Sequence, residues 1–239
     1  MDRNLIIVAN WKATKTIKET IEWAKRAKTE LERADWAEIV VCPPFVSLPT
    51  AVSLFEGTKI KVGVQDISKF KKGAYTGEVT VEMLDGLADY AIVGHSERRR
   101  YFGETEDDII QKVEALLEFK ITPILCVSDL TQLDSYLARG KEIIENAEKV
   151  VFVDEPPNAI SGGGAYHPDT PENASLNSGK ISEKIGKKVK TLYGGSINPE
   201  NAHLFFSQKN IDGGLVGQAS TEVDTFLKII LSIKPGRAG

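Results

Sequence analysis

Apolar residues recur along the chain in short, nearly unbroken runs, separated by longer stretches with helical spacing. The runs at 5–9, 38–42, 59–64, 90–93, 121–127, 149–153, 189–193 and 211–216 are dominated by Val, Ile and Leu and do not alternate with polar residues. That pattern predicts strands buried on both faces, as parallel strands are when helices cover them. Helical periodicity fills the intervals at 16–34, 46–55, 79–87, 105–118, 130–146, 172–185, 199–207 and 222–232. Within 105–118, Ile109, Ile110, Val113, Leu116 and Leu117 share one face. Thr105 stands at the cap position there, and Glu106, Asp107 and Asp108 suit the positive end of the helix. Asn198-Pro199 opens another helix with a cap residue and a proline at the first helical position. The stretch 172–185 has the least support, because Asn173, Asn177 and Gly179 disfavour a helix interior.

Eight strands alternating with eight helices imply parallel strands joined by right-handed crossovers. Eight such units in 239 residues predict a closed (β/α)8 barrel of eight parallel strands with surrounding helices, occupying 1–239 as a single domain. No Pro/Ser-rich tract or shift of composition marks a linker.

Charge and composition narrow the setting. The formal net charge of −4 leaves no basic excess for a nucleic-acid surface spread over the whole chain. No apolar run approaches the ~18–20 residues of a membrane span, and the stretch ending at Asn10-Trp11-Lys12 is too short for a signal peptide. Cys42 and Cys126 each end an apolar run and read as buried thiols in a reducing compartment. The expectation is a cytoplasmic globular protein with no nucleic-acid or membrane partner.

In such a barrel, functional residues gather beyond the C-terminal strand ends. Those positions carry Asn10-Trp11-Lys12 after strand one and Gly94-His95-Ser96-Glu97-Arg98-Arg99 after strand four. Glu155-Pro156-Pro157 and Ser161-Gly162-Gly163-Gly164 follow strand six, Tyr193-Gly194-Gly195-Ser196 follows strand seven, and Gly213 to Gln218 covers strand eight and its exit. Singly, each has an ordinary reading: a solvated lysine, a capping histidine, a loop acid, a glycine turn. Convergence on one mouth favours chemistry instead. Gly-rich turns after strands seven and eight expose backbone N–H groups that suit a phosphate, and Lys12 adds positive charge. Glu155 suits proton abstraction, and His95 can donate a hydrogen bond to a carbonyl or enediolate oxygen. No metal-ligand spacing, GxGxxG or P-loop is present. The residues point to cofactor-free proton transfer on a small phosphorylated carbonyl compound.

Taken together with Phe102-Gly103-Glu104 and Gly73-Ala74-Tyr75-Thr76-Gly77-Glu78, these segments resemble the triosephosphate isomerase family over nearly the whole chain. The resemblance implies a TIM barrel that interconverts dihydroxyacetone phosphate and D-glyceraldehyde 3-phosphate through an enediolate, in glycolysis and gluconeogenesis. It assigns Glu155 as the base and neutral His95 as the electrophile, roles taken over from the family and not predicted from this sequence. It further implies that Lys12 balances the substrate's charge, that Asn10 hydrogen-bonds its oxygens, and that Glu97 supports Lys12. Ser96 would hold the base in its open position, with Cys126 buried beside it. Backbone groups at Ser161, Ser196, Gly217 and Gln218 would cradle the phosphate. Loop 65–78 would enter a partner subunit, with Tyr75 and Thr76 near the partner's catalytic Asn and Lys, making a homodimer.

The chain departs from the family pattern in its lid, at Asn158, Ser161 and Gly162. Gln218 stands where a second glycine is usual, and Cys126-Val127-Ser128-Asp129 replaces a more usual Cys-Ile-Gly-Glu. These departures motivate the alternative, a degenerate barrel that binds phosphorylated metabolites with weak or no turnover.

Overall fold

Every residue of β1 (Leu5–Asn10) is buried, although neighbouring side chains point to opposite faces of the strand. Ile6 and Val8 join Val40, Ile92, Ile124, Val153 and Leu215 in an inner cluster, while Ile7 and Ala9 belong to an outer core shared with the helices. This double burial accounts for the unbroken apolar runs in the sequence. The structure is a computed structural model describing residues 4–156 and 169–235.

The remaining strands are β2 (Ala37–Cys42), β3 (Lys61–Val64), β4 (Tyr90–Val93), β5 (Thr122–Val127), β6 (Val151–Asp154), β7 (Lys190–Tyr193) and β8 (Gly213–Val216). They pair in sequence order, all parallel, and β1 closes the barrel on β8 through Ile6↔Gly213 to Ala9↔Val216. The (β/α)8 architecture expected from the sequence is present. Closure demands a close approach at Gly213. Its φ is +144°, and an added Cβ would sit 1.9 Å from the Ile6 carbonyl oxygen.

The helices are α1 (Ile17–Glu32), α2 (Leu48–Phe55), α3 (Ser96–Phe102), α4 (Glu106–Glu118), α5 (Gln132–Arg139), α6 (Lys141–Glu145), α7 (Pro171–Ile185), α8 (Ala202–Phe206) and α9 (Val223–Ser232). Capping boxes start α1 at Thr16/Glu19 and α4 at Thr105/Asp108.

Several boundaries differ from the sequence reading for identifiable reasons. The segment 79–87 holds only a 3-10 turn at Val81–Leu84, because its buried residues lie three apart and Gly86 turns left-handed. The stretch 130–146 divides at Gly140, where an added Cβ would lie 2.9 Å from the Tyr136 carbonyl oxygen. Helix α7, the least supported in sequence, is a full 15-residue helix. Thr170 caps it, Pro171 opens it, Gly186 ends it, and Ala174, Ser178, Ile181 and Ile185 form its buried stripe. Gly179 lets Asn210 approach closely enough to donate to the Ser175 carbonyl at 3.0 Å. Periodicity did not predict α3, since none of its residues is buried.

Replacing Gly213 with Ala should cost more than ~4 kcal/mol or prevent folding, since backbone must move at the seam of the barrel. Gly57→Ala is the control, because Gly57 also has a positive φ but open space around it. It should cost only ~1–2 kcal/mol. Denaturant unfolding of the two variants measures both.

Candidate active site

Strand β4 ends at Val93 and the chain turns at left-handed Gly94, so that His95 caps the short helix α3. The His95 Nδ1 accepts the Glu97 backbone N–H at 3.2 Å. A ring nitrogen that accepts carries no proton, so the hydrogen sits on Nε2 and the imidazole is neutral. His95 Nε2 faces the cavity at the barrel mouth and lies 3.0 Å from Glu155 Oε1.

Glu155 follows β6 and is 1% exposed. Its Oε1 also accepts the Ser96 hydroxyl at 2.8 Å, and its Oε2 accepts the Ser96 backbone N–H at 2.9 Å. A buried carboxylate needs such donors to offset lost hydration, and the first N–H of α3 adds the helix's positive end. Cys126 lies buried close by, its thiol pushed up by burial and then by the Glu155 charge. A raised thiol is an inert one.

Lys12 adopts φ +51°, unusual for a residue with a side chain. Three contacts impose it. Its N–H donates to Asn10 Oδ1 at 3.1 Å, its carbonyl accepts from Gln65 Nε2 at 2.9 Å, and its Nζ meets Glu97 Oε1 at 2.6 Å. Gln65 Nε2 also reaches the Cys42 carbonyl at 2.9 Å, so the ends of β1, β2 and β3 are tied through one amide. Gly217 keeps the lysine stem clear, since an added Cβ would stand 3.2 Å from Lys12 Cε.

A cavity of ≈ 340 Å³ opens between these groups. Asn10, Lys12, His95 and Glu155 line one side, and Gly194, Gly195, Ser196, Gly217 and Gln218 line another. Gly195 must lack a side chain, because its Cβ would overlap the Tyr193 ring. The strand-end residues singled out in the sequence therefore meet at one mouth. Glu97 stands behind Lys12, and Ser96 holds the carboxylate. Ser161 and the lid residues after Pro156 lie outside the described residues. Among those residues, no cluster of three or more His, Cys, Asp or Glu side chains could hold a metal ion.

Sequence reasoning missed Gln65, Ser128 and Asp154. The first two follow β3 and β5, strand ends whose residues carry no striking chemistry in sequence, and Ser128 Oγ lies 3.4 Å from Glu155 Oε2. Asp154 closes β6 with its side chain buried against the outer core. Burial, reinforced by the charge of Asp169 and opposed by Lys180, pushes its carboxyl up to about 7 from an ordinary 3.8.

A (β/α)8 barrel with a carboxylate, a neutral imidazole and an ammonium group around one small cavity defines a class: barrel enzymes that move protons on small anionic substrates. Comparison with known proteins gives the family. The family described as Triosephosphate isomerase matches residues 5–233. The triosephosphate isomerase of Dictyoglomus turgidum is 41% identical, over 96% of this chain and 100% of its own. Those of Aquifex aeolicus (39%; 95% and 98%) and Solibacter usitatus (36%; 95% and 99%) align over similar spans. The chain belongs to the triosephosphate isomerase family.

The Asp154 carboxyl has a consequence for stability. Between pH ~4 and ~7 the folded chain holds a proton there that the unfolded chain has lost, so stability falls as pH rises through this window. The slope contributed is up to about 1.4 kcal/mol per pH unit. Asp154→Asn should flatten that slope and make the protein more stable than wild type at pH 8. Urea midpoints at several pH values check this, and an unchanged slope would refute it.

Proposed function

We propose that this chain interconverts dihydroxyacetone phosphate and D-glyceraldehyde 3-phosphate by proton transfer through an enediolate. The observation that carries the reading is the meeting of the Glu155 carboxylate and the His95 Nε2–H at one cavity edge, with Lys12 Nζ beside it. The carboxylate takes a proton from the carbon next to the carbonyl. The C–H electron pair becomes the C=C bond of the enediolate, and the carbonyl π pair moves onto oxygen. The Nε2–H of His95 and the ammonium of Lys12 stabilise that oxygen where charge develops. The hydroxyl proton of the enediolate passes from its oxygen to the oxygen that His95 stabilises. Glu155 returns its proton to the carbon that bears the latter oxygen, and the carbonyl re-forms on the carbon that first lost its proton.

The glycine turns at Gly194–Gly195 and Gly217, with Ser196 and Gln218, form the wall suited to the phosphate, and Ser161 belongs to the same cradle by family resemblance. Asn10 sets the turn that aims Lys12. The proposed protein is a single barrel domain acting in the cytoplasm in glycolysis and gluconeogenesis. Among the described residues, no helix is long and apolar enough to cross a membrane.

A homodimer through loop 65–78 belongs to this proposal. Tyr75 stacks on Phe70 at 4.1 Å, and both are substantially exposed. Beside the loop runs a groove of ≈ 570 Å³ lined in part by Phe45, Phe102 and Thr76. Exposed aromatic surface of this kind supports a covered interface. Gln65, at the root of the loop, braces Lys12, which links assembly to the site.

Glu155→Gln should lower kcat by ~10²–10⁴-fold with little change in KM, measured in a coupled assay with glyceraldehyde 3-phosphate. An undiminished kcat would remove Glu155 as the base. Shortening residues 68–76 should give monomers of much reduced activity. A wild-type chain sedimenting as a fully active monomer at micromolar concentration would refute the dimer.

A further inference from the structure

In the resting site, the base and the electrophile are in contact. His95 Nε2, the donor required by the substrate oxygen, lies 3.0 Å from Glu155 Oε1, which occupies the place of that oxygen, so catalysis requires the contact to open. The strength with which the carboxylate is parked therefore enters substrate binding directly. Ser96 supplies two of the donors that hold it. A third hydrogen bond comes from a different element.

Strand β5 alternates in a regular way: Ile124 and Cys126 face the inner cluster, Leu125 and Val127 the outer core. Ser128, next in line, continues the inward set at the mouth. On β6, Val151 and Val153 face inward, so Glu155 shares that parity. The two strands pair Val127 with Asp154, and the ladder extends one step further because the Glu155 N–H donates to the Val127 carbonyl at 2.9 Å. Ser128 and Glu155 are thus cross-strand neighbours aimed at the same space, and the Ser128 hydroxyl lies 3.4 Å from Glu155 Oε2.

The Ser128 backbone is fixed. Its N–H donates to Gln132 Oε1 at 3.0 Å, and the next turn is closed by the Thr131 N–H on Asp129 Oδ1 at 2.7 Å. A carboxylate offers about four acceptor positions, and here Oε1 accepts one hydrogen bond and lies beside His95 Nε2 while Oε2 accepts two. Ser128 completes the set.

We infer that Ser128 is a positioning residue that stabilises the parked carboxylate of Glu155 and so weakens binding of any ligand that requires the base to move. The inference rests on Glu155 being the base. The contact belongs to the free protein and is lost when the carboxylate leaves, so removing the hydroxyl raises the free state relative to the complex.

The test uses phosphoglycolate, a two-carbon phosphate ester whose planar carboxylate copies an enediolate. The wild-type chain is compared with Ser128→Ala and Ser128→Thr, each with Glu155 intact and with Glu155→Ala. At 3.4 Å the bond is longer than optimal, so Ser128→Ala should tighten phosphoglycolate binding by about 2- to 5-fold. It should lower KM for glyceraldehyde 3-phosphate in the same sense, with kcat within about twofold of wild type. Ser128→Thr, which keeps the hydroxyl, should restore the wild-type constant. With Glu155→Ala, Ser128→Ala should have no effect, because the group it acts through is gone. Unchanged or weaker binding in Ser128→Ala, or equal tightening without the Glu155 carboxylate, overturns the inference. Loss of the base assignment is read separately from kcat of Glu155→Gln and leaves this binding cycle interpretable.

Discussion

The site depends on one contact, the Glu155 carboxylate seated at the start of α3 on the Ser96 N–H and hydroxyl, with His95 Nε2 3.0 Å away. A carboxylate that is 1% exposed is tolerated only where donors replace water, and charge-assisted bonds of this kind contribute ~1.5–3 kcal/mol each. The start of the same helix orients the imidazole: His95 Nδ1 accepts the Glu97 N–H, so the ring carries its proton on Nε2. Glu97 in turn projects its carboxylate to Lys12. Carboxylate, imidazole and ammonium are therefore organised from one seven-residue helix.

That helix buries none of its own side chains, so its position comes from ionic ties. Arg98 pairs with Asp66 at 2.8 Å and Glu104 at 3.0 Å, and buried Lys112 of α4 pairs with the same two carboxylates. Burial pushes the Asp66 carboxyl up to about 6, with Lys112 as the main opposing influence. Arg99 binds the Gly94 carbonyl at 2.8 Å and the Tyr136 hydroxyl at 2.7 Å, and it pairs with Glu106. Asp66 sits at the base of loop 65–78, so the network joins α3, α4 and the proposed dimer loop in one polar unit. Removing one member of such a buried network leaves the others unpaired, which costs more than the bond itself.

The barrel was legible because strands buried on two faces leave a signal that needs no partner to interpret. The run from Leu5 to Ala9 and that from Ile121 to Val127 each match an observed strand within a residue or two. Helix α3 was invisible to periodicity because Ser-Glu-Arg-Arg-Arg-Tyr-Phe has no apolar stripe, and α7 looked weak because Asn173, Asn177 and Gly179 disfavour a helix interior while the packing of Asn210 on Gly179 is a tertiary fact. In the site, Lys12, His95 and Glu155 stood out by residue type and strand-end position together. Gln65 and Ser128 occupy equivalent positions after β3 and β5, but a neutral amide and a hydroxyl announce nothing until a carbonyl or a carboxylate is seen opposite them. Asp154 was hidden by its neighbour: in sequence it is one more acid beside Glu155, and only the fold, which buries it and brings Asp169 near, raises its carboxyl.

The chemistry of the site turns on which nitrogen of His95 carries the proton. Nitrogen-15 magnetic resonance of histidine-labelled protein at neutral pH, free and with phosphoglycolate bound, reads this directly. A neutral ring protonated at Nε2 and bare at Nδ1 in both states is the predicted result, with the Nε2 proton's environment changing as its partner passes from Glu155 to the ligand. A proton on Nδ1, or on both nitrogens, in the free protein would contradict it.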